Sequence, residues 1–278
     1  MGLFTRNWNK PGPGVRKDEP RKKGAKRFLE IFTRDYRDLI KINLIFCICI
    51  LPTAALFILG FIGLASSVMF ILSIAAAFPV GGVLVASFYS ITKMLYDEPG
   101  FLWHDMKRKF LENYKQAAIP GMLCTTFIYG QLFLWTPMLF SETPQIDLVW
   151  LVAGLLLIIF FGMASPFIFI QIAYIDLKVI RVVRNSVLIS LAKAPRSLMG
   201  SILGGVIWVA FYLFFPASIL FLLPIIIIGF SLSWLLTLMW IWTPFDKLFE
   251  IEETIRKRNA GELEEKGPEG KSPEGSTE

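Results

Sequence analysis

Charge is missing from most of this chain. Asp, Glu, Lys and Arg are absent from residues 42–92, 117–140 and 197–245, and from 143–175 except for Asp147. A soluble core has no use for uncharged tracts of that length, whereas a helix crossing a bilayer needs about 20 apolar residues. Histidine is nearly absent too. The single His104 lies beside Asp105, and no second His or Cys stands at ligand spacing from it, which argues against a metal centre and reads as a solvated imidazole. The three cysteines, Cys47, Cys49 and Cys124, all fall inside the apolar tracts, where thiols act as packing groups. There is no phosphate-binding glycine loop, zinc-binding helix motif or nucleophile elbow. No catalytic residue, metal or cofactor is expected, and neither is nucleic-acid binding; the chain reads as a non-enzyme.

What remains is an all-α polytopic membrane protein. Of 278 residues, 55% are hydrophobic and 14% aromatic, and the mean hydropathy is +0.59. The apolar runs are continuous instead of alternating, which excludes a β-barrel. The first and last uncharged tracts are each long enough for two spans, so the sequence predicts six, near 42–60, 67–93, 119–140, 148–175, 198–215 and 219–245. The first span follows many charges and has no small-residue cleavage site, so no signal peptide is expected.

All 28 Lys and Arg lie in 1–41, 93–118, 178–196 and 247–278, on one side of these six spans. The other side carries only Glu142 and Asp147. By the positive-inside rule both termini are expected in the cytoplasm. Trp135 and Trp150 flank the outer loop, and Tyr174, Trp240 and Trp242 mark inner ends of spans, as interfacial aromatics do.

Each pair of spans follows a basic, amphipathic stretch. Phe28, Phe32, Tyr36 and Leu39 share one helical face, as do Trp103, Met106, Phe110, Tyr114 and Ala117, and again Ile180, Val183, Val187 and Leu191. Phe32, Phe110 and Val187 align at offsets of 78 and 77. This predicts three units, about 25–96, 101–175 and 178–246, each a cytoplasmic elbow helix followed by a hairpin of spans. A leader (1–24) precedes the membrane domain (25–246), and a largely disordered tail (247–278) follows it.

Within the spans the polar side chains are uncharged: Asn43, Gln131 and Gln171 among them. Such amides either glue helices together or line a path for a neutral solute. Proline interrupts two spans, in "FPVGG" around Pro79 and Gly81 and in "GMASP" at Pro166, and broken helices border binding sites in many transporters. Gly200 and Gly204 form a small-residue pair that serves internal packing or dimerisation equally well, so an oligomer stays open.

The leader's "KPGPGV", Lys10, Pro11, Gly12, Pro13, Gly14 and Val15, excludes helix and permits a turn or extended hook. The stretch "NWNKPGPGVRKDEPRKKGAKRFLEIFTRDYRDLIKINLIF" resembles the amino terminus of the YesL family of bacterial membrane proteins. "FLENYKQA" at 110–117 and "SLAKAPRSL" at 190–198 resemble that family's internal signatures. Its members have no established reaction and are commonly encoded beside carbohydrate importers of the ATP-binding-cassette type. The resemblance thus implies a non-enzymatic accessory or assembly subunit of an oligosaccharide importer, in contact with membrane lipids. Lys10 to Val15 with Phe32, Tyr36, Phe110 and Tyr114 are the candidate docking residues. The alternative is a carrier or channel for a neutral solute such as a sugar, passing Asn43, Pro79, Gly81, Gln131, Pro166 and Gln171.

Overall fold

The computed structural model describes residues 21–63, 66–98, 100–140, 148–214 and 222–259. Lys10, Pro11, Gly12, Pro13, Gly14 and Val15, and the outer-loop residues Glu142 and Asp147, lie outside these. Among the described residues every regular element is helical. They are α1 (Ala25–Phe61), α2 (Ser66–Ala76), α3 (Val80–Leu95), α4 (Leu102–Phe140), α5 (Leu148–Tyr174), α6 (Val179–Ala192), α7 (Ala194–Phe214), α8 (Leu222–Pro224), a π-helical turn (Ile225–Gly229), α9 (Phe230–Phe249) and α10 (Ile251–Asn259). Five of these helical stretches are long and apolar enough to cross a membrane, and the pair α2 and α3, bent by 41°, makes a sixth.

Hydropathy explains the lengths. α1 runs for 37 residues, about 55 Å at 1.5 Å per residue, so its charged first turns extend well past an apolar span of about 30 Å. The amphipathic stretches of 25–41 and 102–118 are not separate helices: hydrogen bonding continues from each into the following span. Only the third is separate, since α6 ends at Ala192 and α7 begins at Ala194 after a turn at Lys193.

Pro79 stands where the second span breaks. α2 stops at Ala76, a turn occupies 77–79, and α3 restarts at Val80. Pro166, in contrast, sits inside α5 with no interruption of the helix. Every residue of α3 except Met94 is buried, so this helix is the centre of the bundle. α1 packs against α2 and α3, α3 against α4, and α4 against α5. The order continues with α5 against α6 and α7, α7 against α9, and α9 with the π turn back against α1, which closes a ring.

Small residues set the closest approaches. A Cβ on Gly81 would overlap the Ala117 carbonyl, and one on Gly121 would overlap the Gly81 backbone, so α3 and α4 touch backbone to backbone. Gly200 and Gly204 do the same for α7 on α9: Thr237 Oγ1 donates to the Gly200 carbonyl at 3.2 Å and Ser233 Oγ to the Gly204 carbonyl at 2.7 Å. This glycine pair therefore serves packing within the chain.

The apolar stripes of the first and third elbows do not coincide with their buried faces. The buried face of α1 is the stripe Arg27, Ile31, Leu39, Ile42, Asn43 and Phe46, rotated from the one read through Phe32 and Tyr36; Tyr36 is exposed. On α6 the apolar stripe faces outward, with Ile180 83% exposed, while Val182, Ser186 and Ser190 are buried. In a membrane the outer surface is itself apolar, so an apolar stripe does not mark the core side. Residues 247–259, the described part of the 247–278 segment, complete α9 and form α10. Glu250, at φ 49° and ψ 41°, turns the chain between them, and the Glu252 N–H donates to Asp246 Oδ1 at 2.8 Å.

Candidate functional site at the charged end

The carboxyl end of α3 leaves carbonyls without helical partners, and three arginines take them. Arg34 Nη2 donates to the Met94 carbonyl at 2.9 Å, Arg27 Nη2 to that of Leu95 at 2.7 Å, and Arg21 Nη2 to that of Tyr96 at 2.9 Å. All three also meet Asp97, which sits at φ +60° just past the helix: Arg27 at 2.7 Å, Arg21 at 3.4 Å, and Arg34 through Nη1. Cations at a helix carboxyl terminus also complement its dipole. Burial alone would push the Asp97 carboxyl up, but the hydrogen bonds from Arg34 and Arg27 outweigh it and hold the group below its ordinary value.

Arg21 reaches further. Its Nη1 donates to Glu252 Oε2 at 2.7 Å, and Glu252 Oε1 accepts the Trp242 indole N–H at 2.8 Å. The residue where the leader meets the bundle is therefore tied to α3, α9 and α10 together.

A second ion-pair group lines the same end of the bundle. Lys93 and Asp105, both buried, pair at 2.8 Å, with Glu98 at 3.7 Å from the Lys93 ammonium. A buried pair of this kind is weak evidence for net stability, but removing one partner costs about 3–5 kcal/mol. Gly100 closes over it, since a Cβ there would overlap both the Asp105 carboxylate and the Lys93 ammonium. His104, adjacent in sequence, is exposed.

Between the two groups opens a cavity of about 310 Å³, lined by Arg34, Lys93 and five carboxylates. Behind α3 lies an aromatic cluster. Tyr96 stacks on Trp242 with centroids 5.6 Å apart, Tyr174 lies 5.3 Å from Tyr89 and 5.6 Å from Trp242, and the Tyr174 hydroxyl joins Thr92 at 2.6 Å and Tyr96 at 3.1 Å. Tyr174 and Trp242 thus belong to the interior of the bundle and not to a lipid-facing belt. Trp240, 41% exposed, fits the interfacial role better.

The sequence-selected polar residues of the spans sit apart from one another. Asn43 is fully buried: its Nδ2 donates to the Ile225 and Ile226 carbonyls at 3.0 and 2.6 Å, and its Oδ1 accepts the Ser231 N–H at 3.1 Å. The wide π turn leaves those carbonyls free of α-helical partners, and Asn43 staples the turn to α1. Gln171, also fully buried, donates to Ser186 Oγ at 2.7 Å, which binds α6 to α5. Gln131 faces Gly154 beside Trp135. Pro79 marks the broken span, Gly81 the contact of α3 with α4, and Pro166 the buried inner half of α5. Neither cavity found at the charged end is lined by any of these six.

Of the candidate docking aromatics, Phe110 and Tyr114 are engaged within the bundle. They stack on each other at 5.9 Å, and Phe110 lies against Gly82 and Tyr114 against Phe78. Phe32 stacks on Phe28 at 5.8 Å, and Tyr36 is exposed with Arg37 over its ring at 5.7 Å. Sequence reading missed the arginine clamp because Arg27 stands among the basic residues of an amphipathic helix, where it reads as solvent-facing; Asp97, a carboxylate in a basic stretch, was the available signal.

Among the described residues, no group of three or more His, Cys, Asp or Glu side chains converges as metal ligands. No protein family, no curated protein and no solved structure matches the chain.

Proposed function

We propose that the protein is a non-catalytic subunit of a bacterial cytoplasmic membrane, with its charged end and both termini in the cytoplasm, that binds and supports an oligosaccharide importer of the ATP-binding-cassette type. Its three successive elbow-and-hairpin units form the ring of helices, and the partner docks at the charged end. The observation that carries this reading is the anchoring of Arg21 to Tyr96, Asp97 and Glu252. It gives the leader a fixed point of departure beside the charged cavity, as a docking element requires. Supporting it, Asn43 commits both atoms of its amide to the π turn and α9, whereas Gln171 commits only Nε2, and its Oε1 and that of Gln131 are buried without a partner among the described residues. The importer as partner rests on the resemblance of the leader and elbows to the YesL family.

The test is purification of the tagged full chain from native membranes in mild detergent. Importer subunits enriched over a matched unrelated membrane protein are the expected result; their absence under conditions that preserve the importer overturns the reading. Parallel reconstitution in liposomes addresses a carrier: uptake of a labelled sugar, abolished by Gln131→Leu and Gln171→Leu, would replace the subunit reading with intrinsic transport.

A further inference from the structure

In the basic stretches 1–41 and 93–118, Arg27, Arg34, Lys41, Lys93, Arg108 and Lys109 each meet a carboxylate. The stretch 178–196 is different. Lys178, Arg181, Arg184, Lys193 and Arg196 are all exposed, and among the described residues none of the five forms an ion pair. Asp176 is the sole carboxylate from residue 148 to residue 245, and it is exposed and outside every ion pair of the described residues. Five cations less one carboxylate leave residues 176–196 with a net charge of +4.

Beside these cations α6 shows an exposed apolar surface. Val182, Ser186 and Ser190 form its buried face, held to α5 by the hydrogen bond from Gln171 to Ser186. Ile180, Val183, Val187 and Leu191 share another face, and Ile180, Val183 and Leu191 are exposed. Leu188, also exposed, follows Arg181 and Arg184 at spacings of seven and four, so apolar and cationic side chains lie side by side. Position decides what such a surface meets. α6 has 14 residues, about 21 Å; it begins five residues after α5 ends at Tyr174 and stops two before α7 begins at Ala194. Both neighbours are long and apolar enough to cross a membrane. A helix this short, tethered at each end to one of two adjoining spans, lies at the boundary of the apolar belt, whereas residues 25–41 and 102–118 prolong their spans away from it.

We propose that α6 and the turn at Lys193 form a docking surface for anionic phospholipid. Ile180, Val183 and Leu191 enter the edge of the acyl layer, as the apolar side of an interfacial helix does. Arg181 and Arg184 donate to lipid phosphates, a pairing that the guanidinium fork favours, and Lys178, Lys193 and Arg196 add charge at the two ends of the helix. A zwitterionic lipid carries its own ammonium beside the phosphate, so the net charge of the lipid is the property selected. The surface is independent of which protein docks at the charged end.

The experiment is native mass spectrometry of the full chain in detergent, titrated with phosphatidylglycerol and phosphatidylcholine of matched acyl chains. A Lys or Arg near an anionic leaflet contributes up to about a fivefold factor, so phosphatidylglycerol is expected to bind at least about tenfold more tightly. The double variant Arg181→Gln, Arg184→Gln should lower phosphatidylglycerol binding by about tenfold and leave phosphatidylcholine nearly unchanged. Lys23→Gln with Lys107→Gln removes the same charge elsewhere and should keep the preference. Ile180→Ser with Leu191→Ser should weaken both lipids alike. Equal affinity of the unmodified protein for the two lipids overturns the proposal. So does an equal loss in the two charge variants, which would make net charge and not α6 the cause. Unchanged affinities in the Ile180→Ser, Leu191→Ser variant also overturn it, since the helix would then stay out of the bilayer and its cations would suit a soluble acidic partner.

Discussion

The hydroxyls of Tyr96 and Tyr174 meet at 3.1 Å, and the two residues stand 78 positions apart in the chain. Phe167 and Phe245, separated by the same 78 positions and both fully buried, also touch, with ring centroids 6.1 Å apart. Both contacts tie the carboxyl-terminal half of α5 to its neighbours, to the end of α3 through Tyr96 and to α9 through Phe245.

Replacing Tyr174 by Phe keeps the rings stacked and removes the oxygen that joins Thr92 and Tyr96. The Tyr96 hydroxyl then loses Tyr174, while Thr92 Oγ1 keeps its bond to the Tyr89 carbonyl at 2.8 Å, and the cost is about 1–3 kcal/mol. Thermal unfolding in detergent, followed by tryptophan fluorescence, should register the loss, while the oligomeric state stays unchanged.

Asn43 serves three backbone groups in the π turn and the start of α9, so Asn43→Leu should cost more than the ~0.6 kcal/mol typical of one side-chain hydrogen bond between membrane helices. The expected outcome is a lowered unfolding midpoint and faster proteolysis near residues 225–231. A midpoint equal to the unmodified protein's would show that the turn does not need the staple.

Two glycine substitutions should diverge. Gly81→Ala drives a methyl into the Ala117 carbonyl and must separate α3 from α4, costing about 1–3 kcal/mol or more. Gly205→Ala meets nothing within 4 Å and replaces a poor helix former, with an expected gain of up to about 1 kcal/mol. Comparison of the two midpoints separates close packing from a general intolerance of added bulk.

The Asp97 clamp has a defined pH signature. Because the carboxyl is held below its ordinary value, its contribution to stability is fully present above about pH 4 and is lost as pH falls through the lowered folded-state value. Asp97→Asn tolerates the left-handed backbone but cannot pair with the arginines. It should be less stable than the unmodified protein at pH 7, and the gap should narrow as both are acidified toward pH 3.

The spans could be read from the sequence because an uncharged run long enough to cross hydrocarbon has few other uses. Which face of each helix looks inward could not. Tyr36 and Ile180 are exposed and Arg27 is buried, each against its apparent polarity, since lipid and bundle interior are equally apolar. Only a partner distinguishes them, and the partners of Arg27, the Leu95 carbonyl and Asp97, lie some seventy residues away. Lys93 and Asp105 were visible as charges but not as a pair, because the turn at Tyr96 and Asp97 that follows Lys93 is itself held by the arginines.

Since α9 and the π turn return to α1, the outer helices close a circuit around α3, and Arg21 against Glu252 brings the two extremities of the described chain to one place. A gene rearranged to start at the second hairpin, with its former ends fused through a linker, would thread the same circuit from another doorway and should reach the same bundle.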